Sequence, residues 1–211
     1  MRRAASLLVL PLLLGSGVAL KAQSPHMGFS LNLTLPTGDF ASKTYPDPLA
    51  PQKETYDAGL GGSFTVSFPT DRNLAVRLNL SGSSEDGINR SPGYADLNLR
   101  HSIFSLGGDL QIFPQGTAFR HRGLYFVAGL SADFERFSAS QGSDPSYYPD
   151  YSTNKTRLGG SVGIGHSFGY DAGMRFTMEA TFHKTLTGTS DNVVDMTPSA
   201  DFARLAFGFV F

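Results

Sequence analysis

The chain has 211 residues, a formal net charge of -1 and no cysteine. A near-neutral chain without a basic run lacks the clustered Lys and Arg that bind nucleic acid, so we expect no nucleic-acid partner. The absence of cysteine excludes disulfides, thiolate metal sites and a lipid attached through an N-terminal cysteine.

The chain begins with a segment that has the order of a secretory signal peptide. Two arginines precede an apolar stretch over residues 4–14, and small residues follow as far as Ala19. The stretch is too short for a spanning helix and contains a proline, which favours a cleavable signal over a membrane anchor. We expect cleavage near Ala19 or Ala22, so that 1–22 is the signal peptide and 23–211 is one domain.

Beyond the signal, apolar and polar residues alternate in eight runs. Alternation with a period of two predicts β-strands, because successive side chains of a strand point to opposite faces. Each run is close to the length that a tilted strand needs to cross the hydrocarbon layer. In chain order the runs are 27–35, 58–68, 74–81, 104–112, 124–134, 158–168, 174–183 and 203–211.

The connections between the runs alternate in length. They are long after the first, third, fifth and seventh runs and short after the second, fourth and sixth. This asymmetry is typical of an up-and-down barrel with short periplasmic turns and long extracellular loops. The sequence therefore predicts an all-β fold, an eight-stranded antiparallel up-and-down transmembrane β-barrel, with both chain ends on the periplasmic side.

The polar face of the runs indicates which face meets lipid. That face is rich in Gly, Ser, Ala and Asn, which suit a narrow lumen, and its mid-strand charges sum to zero. A slip of one residue would turn these charges to lipid, at about 2 to 4 kcal/mol for each arginine. We therefore predict that the apolar face is outward and that a charge network fills the lumen, formed by Arg77, Asp109, Asp133, Arg175, Glu179 and Arg204.

Phenylalanines give a second indication of the same orientation. With the strand directions set by the connections, ten phenylalanines point outward in two groups, as expected for aromatic belts at the two membrane interfaces. The predicted periplasmic group is Phe29, Phe68, Phe126, Phe168, Phe176, Phe209 and Phe211, and the predicted extracellular group is Phe104, Phe134 and Phe182.

The C-terminal segment ARLAFGFVF carries a resemblance to a known family. Its alternate residues Phe207, Phe209 and Phe211 resemble the terminal insertion signal of outer-membrane β-barrels. With the signal peptide and the strand count, nearly the whole mature chain is similar to small OmpA/OmpX-like barrels. The resemblance implies a bacterial outer-membrane location, contact with outer-membrane lipids, and transient partners in periplasmic chaperones and the barrel-insertion machinery. It does not imply an activity, because this family is functionally diverse.

One alternative is an outer-membrane enzyme that modifies lipid A, since a deacylase and a palmitoyltransferase use eight-stranded barrels. The candidates are His166 with Ser167, His101 with Ser102, and His183. A deacylase-like site needs His and Ser on one face, whereas His166 and Ser167 are adjacent and face opposite ways, near the periplasmic end. We therefore expect no catalytic residue, cofactor or metal.

The long connections are the remaining place for a function, because binding residues concentrate on loops held by a rigid scaffold. Tyr45, Tyr147, Tyr148 and Tyr151 lie there among Pro and Asp, and tyrosine is a common anchor of recognition surfaces. The sequence thus predicts a monomeric structural or surface-interaction protein whose loops bind an extracellular ligand. A small-solute pore of restricted conductance and a secreted lipocalin-like carrier remain alternatives.

Overall fold

The computed structural model describes residues 24–45, 52–90, 97–141, 151–169, 173–187 and 200–211. The predicted signal peptide lies outside these residues, and so do Tyr147 and Tyr148. No helix in the described ranges has the length and hydrophobicity to cross a membrane.

The described chain contains ten β-strands, one short α-helix and one turn of 3-10 helix. The elements in chain order are β1 (His26–Pro36), α1 (Gly38–Ala41), β2 (Ser42–Tyr45), β3 (Gln52–Tyr56), β4 (Gly59–Pro69), β5 (Leu74–Arg90), β6 (Leu97–Ile112), the 3-10 turn (Ala118–Arg120), β7 (Gly123–Gln141), β8 (Tyr151–Phe168), β9 (Arg175–Thr185) and β10 (Phe202–Val210).

Eight of these strands close into a barrel. Their hydrogen-bonded order is β5-β4-β1-β10-β9-β8-β7-β6, and the pairing of β5 with β6 completes the ring. Every neighbouring pair is antiparallel. Met27 and Phe211 exchange backbone hydrogen bonds of 3.1 and 2.8 Å, so both ends of the described chain lie at the end of the barrel that has the short turns. The predicted eight-stranded antiparallel barrel is confirmed.

The outer surface of the barrel is apolar. Leu31, Leu60 and Leu130 are 77%, 74% and 64% exposed, and the other predicted outward positions are exposed or half-buried. The opposite face carries buried polar groups such as Asn32 and Asp109. An apolar surface of this extent requires a lipid environment, in which the closed ring satisfies the backbone polar groups. The predicted orientation of the two faces is therefore confirmed.

Four strands are much longer than predicted. β5 ends at Arg90, β6 begins at Leu97, β7 ends at Gln141 and β8 begins at Tyr151, so the connections predicted after the third and fifth runs are largely strand. The prediction was wrong because the outward positions become largely polar there, whereas in β6 and β7 the inward positions include the apolar Leu99, Ile103 and Phe137. The inward residues form an extracellular core that contains Phe40, Tyr56, Leu99, Ile103, Phe137, Ala200 and Phe202.

The first long connection is also structured. It contains α1 and the hairpin of β2 with β3, and β3 pairs with the end of β5, where Lys53 is opposite Arg90. We call β2, β3 and the protruding ends of β5–β8 the extracellular sheet. Tyr45 is the last residue of β2 and Tyr151 is the first of β8, so both belong to strands and not to loops, which corrects their predicted placement.

Candidate functional site

A folded turn closes the periplasmic end of the lumen. Residues between β6 and β7 carry Phe113 and Ala118 into the barrel, where they pack with Ala75, Tyr125 and Val127 in a buried apolar cluster. We call this cluster the periplasmic plug. All five side chains are almost completely buried.

His121 lies inside the periplasmic plug in an unusual backbone conformation. Its φ of 43° is left-handed, a conformation that is uncommon for residues other than glycine. The ring of His121 lies 5.3 to 5.8 Å from those of Phe113, Tyr125 and His26. Burial, and secondarily the neighbouring His26, lower the pKa of His121 to about 3, so its ring is neutral at ordinary pH.

Three of the six predicted lumen charges form one ion-pair network in the middle of the barrel. Arg77 donates to Asp109 at 2.9 Å and, through its two terminal nitrogens, to the two oxygens of Glu179 at 2.6 and 3.0 Å. Tyr125 donates its hydroxyl to Glu179 at 3.1 Å. A bidentate Arg–carboxylate pair is a strong interaction with a fixed geometry. The four side chains of this network connect β5, β6, β7 and β9 across the lumen.

Arg204 and Asp133, two of the other predicted charges, have hydrogen-bond or ion-pair partners of their own. Arg204 donates to the hydroxyls of Thr181 and Ser81, both at 3.3 Å. Asp133 is 3.0 Å from the ring of His183. Arg175 is buried at the beginning of β9, near the periplasmic end. The structure therefore distributes the predicted residues over several levels of the lumen.

A second charged cluster, which the sequence pattern does not predict, lies on the inward face of the extracellular sheet. Arg157 and His101 approach one carboxylate oxygen of Glu135, at 3.3 and 3.4 Å. Glu85 accepts a hydrogen bond of 2.6 Å from Thr34. These side chains keep the inward parity of their strands but lie beyond the predicted strand ends. Continued alternation past those ends is the signal that could have located them.

Two of the cavities in the described part of the lumen are small. One of about 30 Å³ lies between the periplasmic plug and Arg204, and one of about 10 Å³ lies on the extracellular side of Arg204. A cavity needs roughly 10 to 15 Å³ to hold one water, so these hold at most a few. At these two levels, side chains of the described residues fill most of the lumen.

The candidate catalytic histidines are not hydrogen-bonded to a serine hydroxyl in the described part of the chain. His101 contacts Glu135 and His183 contacts Asp133, but no described serine hydroxyl bonds to a histidine ring. Ser167 is buried in the lumen, whereas His166 packs on Phe168, which is exposed on the outer surface. These side chains do not form the serine–histidine pair that an acyl-transfer or hydrolytic site needs.

The residues of the predicted insertion signal lie on the outer surface of β10. Phe207, Phe209 and Phe211 are 42%, 44% and 54% exposed. The ring of Phe209 contacts Phe176 at 5.8 Å and that of Phe211 contacts Phe29 at 6.4 Å, so the last strand presents a continuous aromatic surface to its surroundings.

The extracellular sheet has a free edge in the described structure. β8 pairs with β7 as far as Tyr151, whereas β9 ends at Thr185, opposite Gly159. Among the described residues, the first residues of β8, 151–154, therefore have a neighbouring strand on one side only. An edge of this kind presents backbone N–H and C=O groups that another strand can pair with.

Comparison with solved structures gives the same architecture. OprG of Pseudomonas aeruginosa superimposes with a TM-score of 0.55 at 15% identity, over 89% of this chain and 95% of that one. Ail, the attachment invasion locus protein of Yersinia pestis, in complex with the heparin analogue sucrose octasulfate, gives a TM-score of 0.50 at 10% identity, over 89% and 96%. No protein-family description and no curated protein matches the sequence. The chain is thus a membrane-spanning barrel with the fold of the small OmpA/OmpX-like outer-membrane proteins, and that fold implies the outer membrane as its location.

Proposed function

We propose that the extracellular sheet is a rigid platform that binds an extended segment of another protein at the cell surface. The observation that carries this proposal is the edge formed by residues 151–154 of β8, where the neighbouring strand β9 has already ended. An extended peptide that adds to such an edge gains main-chain hydrogen bonds, and alternate side chains supply specificity. This role needs no cofactor and no catalysis.

The extracellular core supports the proposal by making the edge rigid. Leu99 and Phe137 are each 3% exposed, and Phe40 packs edge-on against the ring of His101 at 5.0 Å. Because this core holds β6 and β7 in place, β8 is presented in its strand conformation before a partner arrives. Preorganisation of this kind lowers the entropic cost of binding.

Two of the predicted tyrosine anchors belong to strands of this platform. Tyr45 ends β2 and Tyr151 begins β8, the two outermost strands of the extracellular sheet, and Tyr147 and Tyr148 precede Tyr151 by a few residues. We propose that some of these side chains contact the bound segment, as tyrosines commonly do at recognition surfaces. The Ail structure, a complex with a heparin analogue, indicates that a barrel of this fold can hold an external ligand.

A selection with unstructured peptides tests the proposal. A displayed random peptide library is selected against the barrel in lipid nanodiscs, and the selected peptides are measured on variants of β8. Successive N–H groups of a strand point to opposite sides, so one of Thr153→Pro and Asn154→Pro removes an edge N–H, and the other removes an N–H that faces β7.

We expect one proline variant to abolish peptide binding while retaining the heat-dependent gel mobility of a folded barrel. The matched controls Thr153→Ala and Asn154→Ala keep every N–H and should bind like the wild type. Hydrogen exchange over residues 151–154 should slow when the peptide is bound. Undiminished binding to both proline variants, with no change in exchange, would refute binding at this edge.

A further inference from the structure

Arg136 is an exposed cation close to the free edge of the extracellular sheet. It lies on the outward face of β7, directly opposite Asn154 of β8, whose backbone belongs to the edge described above. Ser152 and Thr156, on either side of Asn154 on the same face, are also exposed. The surface between Arg136 and the edge therefore carries short, uncharged side chains.

Arg136 forms no ion pair within the parts of the chain that the structure describes. The acidic residues of β7, Asp133 and Glu135, are buried on the inward face, and the described strand β8 contains no Asp or Glu. By contrast, Arg100 is one strand further from the edge and has an acidic neighbour in Asp86, at 2.8 Å. Among the described residues, Arg136 is thus a positive charge without a compensating carboxylate beside the edge.

A strand that adds to β8 brings its outward side chains near Arg136. Neighbouring strands are about 4.7 to 4.9 Å apart, so the added strand lies about 10 Å from β7. An arginine side chain that lies across the shorter Asn154 spans most of this distance, and an Asp or Glu side chain of the added strand spans the rest. The added residue opposite Asn154 points to the same face as Arg136, whereas its two chain neighbours point inward.

We propose that Arg136 makes the edge selective for an acidic segment, one that places Asp or Glu opposite Asn154. The guanidinium group of Arg136 binds that carboxylate, and its parallel N–H groups match the two carboxylate oxygens. A basic residue at the same position of the segment is disfavoured, because like charges on one face of a sheet repel. This inference rests on the proposed peptide-binding edge and names the charge of its partner.

Parallel selections of a displayed random peptide library test the inference. The library is selected against the wild-type barrel, Arg136→Glu and Arg136→Gln in lipid nanodiscs, and only peptides that lose binding when Thr153→Pro or Asn154→Pro is added are sequenced. We expect the wild type to select an acidic residue at one peptide position, Arg136→Glu to select a basic residue there, and Arg136→Gln to select neither. Replacing the acid of a selected peptide by its amide should weaken binding to the wild type about two- to fivefold, as for an exposed ion pair, and should not weaken binding to Arg136→Gln.

The matched control is Arg100→Glu, which reverses a charge on the same outward face but one strand further from the edge, and it should keep the acidic preference. Heat-dependent gel mobility establishes that all variants are folded. Proline-sensitive peptides without an acidic preference, or the same inversion in Arg100→Glu, would overturn the inference and leave the peptide-binding edge standing. A selection that yields no proline-sensitive peptide would refute the edge itself, and this inference with it.

Discussion

The membrane-spanning part of the barrel and the extracellular sheet are built from the same strands but reverse the use of their two faces. In β6, Leu106 and Leu110 of the spanning part are exposed on the outside, whereas Leu99 and Ile103 of the extracellular part are buried on the inside. Side chains alternate between the inward and outward faces without interruption along the whole strand. What changes between Ile103 and Phe104 is which face is apolar, because lipid surrounds one part and water surrounds the other.

The polar groups follow the same reversal. Arg77, Asp109 and Glu179 are inward in the spanning part and bond to one another, whereas Arg100 and Asp86 form their ion pair on the exposed outer side of the extracellular sheet. A surface ion pair of that kind contributes little to stability, but the buried network is costly to break. The two parts should therefore respond very differently to equivalent substitutions.

The largest effect is expected in the buried network. Arg77→Met leaves the carboxylates of Asp109 and Glu179 buried without their shared cation, and removing one partner of such a network costs about 3 to 5 kcal/mol. The free energy of unfolding is measured from gel mobility against urea concentration. A triple variant that also carries Asp109→Leu and Glu179→Leu should recover most of the loss. Failure of that rescue would show that Arg77 acts mainly through packing.

A smaller effect is expected when arginine is placed on the outer face of each part. Leu130→Arg lies within the spanning segment of β7 and should lower the free energy of unfolding by about 2 to 4 kcal/mol. Ser138→Arg lies on the outward face of the same strand in the extracellular sheet and should change it by less than about 0.5 kcal/mol. Urea titration in lipid vesicles compares the two variants. Equal costs would contradict a boundary between lipid and water along β7.

The last effect is expected at the periplasmic plug, as a dependence on pH. The unfolded chain protonates His121 at its ordinary pKa, whereas the folded pKa is about 3. As pH falls below about 6.5, the free energy of unfolding should decrease by up to about 1.4 kcal/mol per pH unit, because the unfolded state binds the proton first. His121→Asn keeps a residue that tolerates left-handed backbone and should remove this slope. Urea midpoints at pH 7 and 4.5 measure it, with His166→Asn as the control. An unchanged slope in His121→Asn would assign the pH dependence to other groups.

Much of the candidate binding surface could not be predicted from the sequence, because the apolar and polar faces of the strands exchange between the spanning part and the extracellular sheet. The sequence pattern predicts strand ends at Ser81 and Phe134 because apolar residues leave the outward parity there, and it predicts loops beyond these residues. Tyr45 and Tyr151 were recognised as extracellular residues, but their positions at the ends of β2 and β8 depend on pairings between distant segments. The edge of β8 that is free among the described residues results from β9 ending at Thr185, which the local pattern does not reveal.

The sequence by itself determined the number of barrel strands, the parity of every spanning strand and the antiparallel up-and-down order, because burial on one face and a period of two leave no other register. Only the tertiary structure decided which lumen charges meet. Arg77 bonds to Glu179, which is 102 residues away in the chain, whereas Arg204 bonds to the hydroxyls of Thr181 and Ser81. These partners differ because closure of the barrel sets the height of each side chain in the lumen. It also decided that the connections fold into a second, water-facing sheet, since that outcome depends on an apolar core assembled from α1, β3, β6, β7 and β10 together.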